Sequence, residues 1–273
     1  MHLDQYLDRI GYQGDVRHDL ATLNALHEAH LRAIPYECLD VQLGRPVTTD
    51  PAAAYAKIVE RGRGGWCYEM NGLFGWALGE AGFKVTRMAG AVMRVAMGDA
   101  SLANHLVLKI DMDDGPPVIA DVGFGDGPLR CYRLIDGPFS IAGFDYRLQL
   151  LDDGWWRLHH HPNGSAPCFD FRAEAAAEAQ LAATCVTLQT SPASPFVQNL
   201  VCGRHHDGGT TILRGKMLRL VTPAGVETRE IGSPDELLET LNGTFGLDVP
   251  EVAGLWGKIV ERHATLFPAG AGT

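Results

Sequence analysis

The sequence contains no run of lysine and arginine, no apolar segment long enough to span a bilayer, and no CxxC pair. It carries 33 acidic and 23 basic residues, for a formal net charge of -10. This acidic balance argues against binding to nucleic acid or to an anionic membrane surface. The first ten residues also lack the basic and apolar regions of a signal peptide. We therefore expect a cytoplasmic protein that binds neither nucleic acid nor a membrane.

The 273 residues are 46% hydrophobic, which is enough apolar material for one large domain or two to three small ones. The six cysteines are scattered, so reduced thiols are the default expectation. Histidine runs at 159–161 and 205–206 raise the question of a metal site. Adjacent histidines on a strand point to opposite faces, and the spacing matches no zinc pattern. We expect no metal.

The first third of the chain has helical patterns with clear start and stop signals. Asp19 is placed to cap a helix that ends at Pro35. The pair Asp50–Pro51 begins a second helix, which stops at Gly62. A third helix is predicted from Cys67 to about Gly82.

The middle third changes to the alternating pattern of strands, which predicts an antiparallel sheet or small barrel. The clearest strands are Val85–Val95, His105–Ile110 and Val118–Phe124. A helix is predicted over Ala173–Ala183, and a linker over Thr190–Pro195.

The last third is predicted to hold further strands and then a helix. That helix begins at Ser233–Pro234, again a cap followed by a proline. We expect disorder from Pro268 onward.

Cys67 follows a Gly-Gly turn and stands at the start of the third predicted helix. A thiol in this position experiences the positive end of the helix dipole and several free backbone N–H groups. Both favour the thiolate, which is the nucleophilic form of cysteine. The position therefore predicts a reactive cysteine.

A histidine and an aspartate follow on two strands that the turn at 111–117 joins. If these strands form a hairpin, His105 and Asp121 lie almost opposite each other, about 5 Å apart at Cβ. Asp121 is otherwise surrounded by apolar residues, so its burial is costly without a partner such as His105. We predict that Cys67 is a nucleophile, His105 its base and Asp121 the group that orients the imidazole.

Each of the three residues taken alone also fits a structural role. A buried cysteine is commonly an unreactive core residue. A lone histidine beside a strand commonly has only a structural role. An aspartate beside glycines is often a turn cap. The combination with the Gly-Gly helix start favours catalysis. The glycine-rich segment 123–127 lacks a nucleotide-binding pattern and is expected to let the backbone approach a ligand.

Several motifs together resemble the arylamine N-acetyltransferases. The segment Arg63–Glu69 matches the pattern RGGxCxE, and 121–125 matches DVGFG. Residues 34–37 resemble IPFE, and 190–196 resemble TSPxSxF. The order and spacing agree from about residue 6 to about 200, and the match is weaker beyond 205.

The resemblance implies an α+β fold with a cysteine-protease-like core. Its parts would be an N-terminal helical bundle (1–83) carrying the cysteine, a central antiparallel β-barrel (84–190) carrying the histidine and aspartate, and a linker with a C-terminal α/β lid (191–273). It also implies a ping-pong reaction in which acetyl-CoA acetylates Cys67. An arylamine, arylhydrazine or N-hydroxyarylamine then takes the acetyl group. The partners would be CoA and a small aromatic amine or hydrazine, and a homodimer stays open.

The resemblance further places Phe124, Val92 and Phe196 in the acceptor pocket. Tyr36 stands where the family usually has phenylalanine, and the added hydroxyl bears on acceptor choice. Glu37 and Arg63 would form a structural ion pair near the site. Cys38 replaces the usual asparagine. The weaker match after residue 205 leaves the CoA contacts unassigned.

Three alternatives to this function are kept. The first is an acyltransferase or amide synthase of the same family that uses a different acyl donor. The second is a Cys-His-Asp hydrolase or a transglutaminase-like enzyme. The third is a non-catalytic binding protein that keeps the fold.

Overall fold

The computed structural model of the chain describes residues 1–266. The end of the predicted third unit and the predicted disorder from Pro268 lie outside the described residues. The α-helices of the described chain are α1 (Leu3–Ile10), α2 (Leu20–Ala33), α3 (Leu39–Gln42), α4 (Pro51–Tyr55), α5 (Cys67–Glu80), α6 (Arg94–Met97), α7 (Glu178–Thr190), α8 (Pro195–Gln198), α9 (Pro234–Phe245) and α10 (Trp256–Leu266). A π-helical segment follows α4 (Ala56–Glu60), and 3-10 segments cover Gly98–Ser101 and Pro250–Leu255.

The strands form two antiparallel sheets. They are β1 (Tyr36–Glu37), β2 (Lys84–Val92), β3 (His105–Asp111), β4 (Val118–Ala120), β5 (Tyr132–Arg133), β6 (Gly137–Ile141), β7 (Phe144–Leu150), β8 (Trp156–His159), β9 (Cys168–Phe171), β10 (Val201–His206), β11 (Gly209–Arg214), β12 (Met217–Thr222) and β13 (Gly225–Glu230). The smaller sheet has the order β1-β10-β11-β12-β13, and the larger has the order β5-β4-β3-β2-β9-β8-β7-β6.

The larger sheet curls without closing into a complete barrel. Its outer strands, β5 and β6, are consecutive in sequence but share no ladder. The rings of Tyr132 and Phe139 nevertheless stack 4.9 Å apart, which brings these two edges together. The mixed helix-and-sheet class is confirmed, and the predicted central barrel is an eight-stranded half-barrel.

The smaller sheet joins the beginning of the chain to its end. Strand β1 pairs with β10, with Tyr36 opposite Gly203 and Glu37 opposite Cys202. Helix α9 covers this sheet through a buried core that includes Leu241 and Phe245. The loop that precedes Cys67 is therefore fixed to a sheet formed mainly by the C-terminal third.

Capping chemistry decides where two of the predicted helices begin. Asp19 accepts a hydrogen bond of 2.7 Å from the backbone N–H of Thr22 and begins α2. Asp50 accepts one of 2.9 Å from Ala52 and begins α4. Both predicted starts are confirmed.

Three of the predicted elements have wrong boundaries. The strand predicted over Val85–Val95 ends at Val92, where Met93 adopts a left-handed backbone (φ 62°) and α6 follows. The strand predicted over Val118–Phe124 ends at Ala120. The helix predicted over Ala173–Ala183 runs instead over Glu178–Thr190.

Helix α5 is buried on nearly every side and packs against β2 and β3. Phe74 of α5 shares a core with Leu108 of β3 and Val118 of β4. This core holds α5 against the hairpin of β3 and β4. The start of the helix therefore lies next to the end of the hairpin. None of the helices within residues 1–266 has both the length and the apolar character that crossing a lipid bilayer requires.

Candidate active site

Cys67 is the first residue of α5, and it is 3% exposed. The loop before it lies against β1, because the backbone N–H of Glu37 donates to the carbonyl of Gly65 at 2.9 Å. A Cβ atom at Gly64 would stand 2.0 Å from the carbonyl oxygen of Pro35, so only glycine permits this approach. The Gly-Gly turn of the sequence thus fixes where the thiol is placed.

A buried ionic cluster holds the start of α5. Glu69 accepts a hydrogen bond from the backbone N–H of Trp66 at 3.2 Å, and both of its oxygens contact Nζ of Lys57 at 3.0 Å. Lys57 also contacts Asp40 at 3.0 Å and Glu37 at 3.6 Å. The cluster therefore ties the helix start to the segment that follows β1.

Arg63 completes this ionic cluster on the side of the Gly-Gly loop. Its guanidinium donates to Oε1 of Glu37 at 2.7 Å and to Asp40 at 3.2 Å. Burial raises the pKa of Glu69 to about 7, although the charge of Lys57 opposes that shift. The pKa of Lys57 itself is raised, because Glu37, Glu69 and Asp40 outweigh its burial.

His105 and Asp121 form a buried pair beside Cys67. Nε2 of His105 lies 2.7 Å from Oδ2 of Asp121, and the two residues are 2% and 3% exposed. Because Leu108 of β3 faces Ala120 of β4, continuing this register would place Gly123 opposite His105. Asp121 is therefore a diagonal neighbour of His105 and not its direct partner, and it reaches the imidazole from the loop after β4.

Besides His105, three neighbouring groups fix Asp121 in place. Its Oδ1 accepts from Nδ2 of Asn71 at 2.7 Å and from the backbone N–H of Gly123 at 2.9 Å. Its own backbone N–H donates to Nε2 of His27 at 3.1 Å. Nδ1 of His27 lies 3.1 Å from the carbonyl of Leu129. Because a carbonyl oxygen only accepts hydrogen bonds, Nδ1 is the ring nitrogen of His27 that carries the proton. The carboxylate has a defined partner on each side.

Burial alone would lower the pKa of His105 and raise that of Asp121. The carboxylate of Asp121 and the thiol of Cys67 outweigh that penalty and raise the pKa of His105 to about 10. The imidazolium, with hydrogen bonds from Asn71 and Gly123, lowers the pKa of Asp121. Because Nε2 of His105 is bound to Asp121, Nδ1 is the nitrogen left for the thiol. The arrangement supports a charged imidazolium at neutral pH.

The other cysteines lie in surroundings that keep them protonated. Burial raises the pKa of each of these thiols, to about 12 for Cys38 and Cys185 and by direction for Cys131, Cys168 and Cys202.

A cavity of about 330 Å³ opens beside Cys67 and His105. The four predicted pocket residues Phe124, Val92, Phe196 and Tyr36 all line it. The ring of Phe124 meets the edge of His105, with centroids 5.6 Å apart. The cavity therefore has aromatic walls, and two cysteines, Cys67 and Cys202, line it.

Two of the lining residues are held by specific contacts. Side-chain Oδ1 of Asn104 accepts from the backbone N–H of Val92 at 2.7 Å. The ring of Phe196 lies edge-on to that of Trp66, with centroids 5.2 Å apart. Tyr36 has no hydrogen-bond partner for its hydroxyl within the described chain.

The histidine runs do not assemble a metal site in the described part of the chain, which contains no suitable group of three His, Cys, Asp or Glu residues. Nε2 of His160 lies 2.9 Å from the carbonyl of Asp126. The carboxylate of Asp126 binds Ser165 at 2.7 Å. These residues thus join the glycine-rich loop to the turn after β8.

Sequence analysis did not assign a role to His27 or Lys57. His27 lies on the buried face of α2, with Leu23 and Leu26, so a histidine within an apolar helical stripe was the available signal. Lys57 lies in the π-helical segment and gave no such signal, because its partners come from two other parts of the chain, residues 37–40 and the first turn of α5.

Comparison with known proteins gives a consistent set of relatives. A family model described as N-acetyltransferase matches residues 19–253. The chain is 36% identical over 261 residues to an arylamine N-acetyltransferase of Mycolicibacterium smegmatis, covering 93% of this chain and 94% of the relative. It is 32% identical over 258 residues to one of Mycobacterium tuberculosis, covering 92% and 91%.

Solved structures of similar proteins agree with these relatives. The Mycobacterium marinum arylamine N-acetyltransferase in complex with CoA superposes with a TM-score of 0.85 at 32% identity, covering 96% of this chain and 98% of that one. The M. smegmatis arylamine N-acetyltransferase superposes with a TM-score of 0.86 at 34% identity, with the same coverage.

Replacing Gly123 with alanine should slow alkylation of Cys67 by iodoacetamide and lower the free energy of unfolding by about 1–3 kcal/mol. The added Cβ would stand 2.6 Å from Nδ2 of Asn71 and 2.7 Å from Cα of Cys67. Gly79→Ala on α5, the helix of Cys67 and Asn71, is the control, because its Cβ would meet nothing within 4 Å. Equal alkylation rates in the two variants would contradict this account.

Replacing Lys57 with methionine should lower the free energy of unfolding by about 3–5 kcal/mol, because buried carboxylates lose their cation. The loss should be larger at about pH 8 than at about pH 5. The sign follows from Glu69, whose pKa is raised by burial and lowered by Lys57. Ionisation of this buried carboxylate costs stability as the pH rises through its pKa. Without Lys57 that cost is larger, so the variant loses more stability at the higher pH.

The matched control is Lys84→Met, since Lys84 pairs with Asp111 on the surface with its side chain 82% exposed. Its loss should be within about 1 kcal/mol. Chemical denaturation at the two pH values measures the free energy of unfolding of the wild type and of both variants. A Lys57→Met loss that does not change with pH would refute this role of the buried cluster.

Proposed function

The chain belongs to the arylamine N-acetyltransferase family of acyltransferases, and we propose that it moves an acetyl group from acetyl-CoA to an aromatic amine through a thioester on Cys67. The observation that carries this proposal is the His105–Asp121 pair beside a thiol at a helix start, at the mouth of an aromatic cavity. Such a pair supplies both a proton donor and a proton acceptor to one nucleophile.

In the first step the Cys67 thiolate attacks the thioester carbonyl of acetyl-CoA. The new carbon–sulfur bond forms as the bond to CoA breaks, and the His105 imidazolium gives its proton to the departing CoA thiolate. Free backbone N–H groups in the first turn of α5 are placed to hold the oxyanion. One thioester replaces another, so this step is close to isoenergetic.

In the second step the amine nitrogen attacks the acetyl carbon on Cys67. The neutral His105 takes a proton from the amine, the carbon–sulfur bond breaks, and the thiolate–imidazolium pair is restored. The product is an amide, so this step is downhill. Arylamines are weak bases and are unprotonated near neutral pH, which makes them suitable acceptors.

The cavity walls support an aromatic acceptor. Phe124 and Phe196 offer apolar faces, and Tyr36 adds a hydroxyl. Because that hydroxyl is not used within the described chain, it is available to a polar substituent on the acceptor. We infer that Tyr36 biases the enzyme toward acceptors that carry such a group.

We also propose the finer architecture expected from the resemblance: units at 1–83, 84–190 and 191–273 around a cysteine-protease-like core. A nucleophile on a helix start, with its histidine on an adjoining antiparallel sheet and its aspartate in the loop after the neighbouring strand, supports that core. Six free thiols suit a reducing compartment, so we further propose a cytoplasmic location.

Intact-protein mass spectrometry should detect one acetyl group on the protein after mixing with acetyl-CoA, located at Cys67 by peptide mapping. A chase with an aromatic amine or hydrazine should remove it. Because catalysis needs a thiol in that position, Cys67→Ser should abolish both signals and Cys168→Ser should leave both unchanged.

Two outcomes would contradict the proposal. Acetylation retained by Cys67→Ser would remove the cysteine from its role. No acetylation by acetyl-CoA, with acylation by another thioester or with cleavage of amides, would favour a different donor or a hydrolase.

A further inference from the structure

One histidine of α2 holds both ends of the loop that carries Asp121. This loop, residues 121–129 and here called the aspartate loop, follows β4 and supplies Phe124 to the cavity wall. Nε2 of His27 accepts from the backbone N–H of Asp121 at 3.1 Å, and its Nδ1 lies 3.1 Å from the carbonyl of Leu129. A single ring therefore sets the position of the whole loop relative to α2.

No other side chain of α2 within the described residues bonds to Asp121. One turn earlier, Oδ1 of Asn24 accepts from the backbone N–H of Cys131 at 3.0 Å, which supports the chain after the aspartate loop. Asp121 is 3% exposed, so its N–H would be left buried and unsatisfied without His27. The start of the loop would then have to move to find another acceptor.

The two contacts of His27 require a neutral ring with its proton on Nδ1. A protonated Nε2 would meet the N–H of Asp121 donor to donor, which is not a hydrogen bond. Burial lowers the pKa of His27, although the contact with Leu129 and the charge of Asp121 oppose that shift. The ring is 1% exposed and lies edge-on to Phe74, with centroids 5.7 Å apart. It is therefore a fixed and uncharged acceptor.

The surroundings of this ring keep it neutral near neutral pH. The titratable groups that face His27 are Glu28 and His30 on α2, His205 on β10 and Asp121 on the aspartate loop. Burial lowers the pKa of both other histidines, so neither is charged near neutral pH. Glu28 is already bound to Arg32 and Arg130, and Asp121 to His105. None of the facing carboxylates is therefore free to stabilise a charged His27.

A displaced aspartate loop would affect the reaction through His105. The 2.7 Å contact between Oδ2 of Asp121 and Nε2 of His105 lasts only while the carboxylate stays within hydrogen-bond distance. Phe124 of the same loop meets the edge of the His105 ring, with centroids 5.6 Å apart. His27 itself does not line the reactive cavity. Its influence on the thiol therefore passes entirely through the loop.

We propose that His27 is a positioning residue for the acetyl transfer, which holds the aspartate loop so that Asp121 keeps His105 in place beside Cys67. This inference rests on the proposed function, because it takes the Cys67 thiolate and the His105 imidazolium as the reacting pair. The expected effect of His27 is on the rate of the chemical step and on its pH profile. Substrate binding should not depend on it.

Alkylation of Cys67 by iodoacetamide, followed from about pH 5 to about pH 9, tests this role without an acetyl donor. His27→Leu removes the acceptor of the Asp121 N–H. It should react about tenfold more slowly than the wild type at about pH 6 and approach the wild-type rate at about pH 9. The reason is that a displaced Asp121 no longer holds the imidazolium, so the thiolate forms only as the solution becomes alkaline.

Two amide variants separate the two contacts of the ring. The side-chain oxygen of His27→Gln can stand where Nε2 does and accept from Asp121, so this variant should recover most of the wild-type profile. His27→Asn is one methylene shorter. Its amide N–H can reach the carbonyl of Leu129 as Nδ1 does, but its side chain is too short to reach Asp121. His27→Asn should therefore follow His27→Leu.

His30→Gln is the matched control. His30 is buried one turn later on α2 and meets the same Phe74 ring, with centroids 5.4 Å apart. Its Nδ1 is bound to the hydroxyl of Tyr6 at 2.8 Å and not to the aspartate loop. The pH profile of His30→Gln should match that of the wild type.

Thermal unfolding checks that each variant is folded, and the comparison of His27→Gln with His27→Asn decides the matter if His27→Leu does not fold. A wild-type profile in folded His27→Asn would overturn the proposal. So would equal slowing at every pH, failure of His27→Gln to exceed His27→Asn, or a His30→Gln profile like that of His27→Asn. Each of these results would reduce His27 to a structural residue.

Acetylation separates this proposal from the proposed function. In single-turnover reactions at about pH 6, His27→Asn should be acetylated about tenfold more slowly at saturating acetyl-CoA, with an unchanged half-saturating concentration. A change confined to the half-saturating concentration would overturn the positioning role. No acetylation of wild-type Cys67 would instead refute the proposed function, and the alkylation profiles would still test His27.

Discussion

The contact between Nε2 of His105 and Oδ2 of Asp121, 2.7 Å long and removed from solvent, is the interaction on which the site depends. Burying two charges costs several kcal/mol per ion unless their geometry and remaining hydrogen bonds compensate. Here Asn71 and Gly123 donate those bonds to the carboxylate of Asp121, and His27 accepts from the backbone N–H of the same residue. The pair is therefore not an isolated contact, and its stability requires α2, α5 and the loop after β4 together.

A second buried ionic group stands on the other side of the thiol. Lys57 and Arg63 hold the carboxylates of Glu37, Asp40 and Glu69, and Glu69 in turn holds the first turn of α5. One network fixes the nucleophile and the other fixes its proton carrier. The core between α5 and β3 holds the two networks in a fixed position relative to each other. This arrangement explains why a small enclosed region draws on segments from both the first and the middle third of the chain.

Local signals in the sequence were sufficient for features that depend on neighbouring residues. Asp19 and Asp50 marked helix starts because capping is local, and the 111–117 turn marked the hairpin that brings His105 near Asp121. The pairing of β1 with β10, and the partners of Lys57, depend on contacts between distant segments. The end of β4 was missed because Asp121 and Val122 look like strand residues, but their backbone N–H groups bond to side chains of His27 and Asn71.

The protonation state of His105 tests the central claim most directly. Nitrogen NMR of the ring at about pH 7 should show both nitrogens protonated, since Asp121 and the thiol raise the pKa of His105 to about 10. The same signals in Asp121→Asn should change to those of a neutral ring. A wild-type His105 that is neutral at about pH 7 would contradict the account, because the carboxylate would then not be holding the imidazolium beside Cys67.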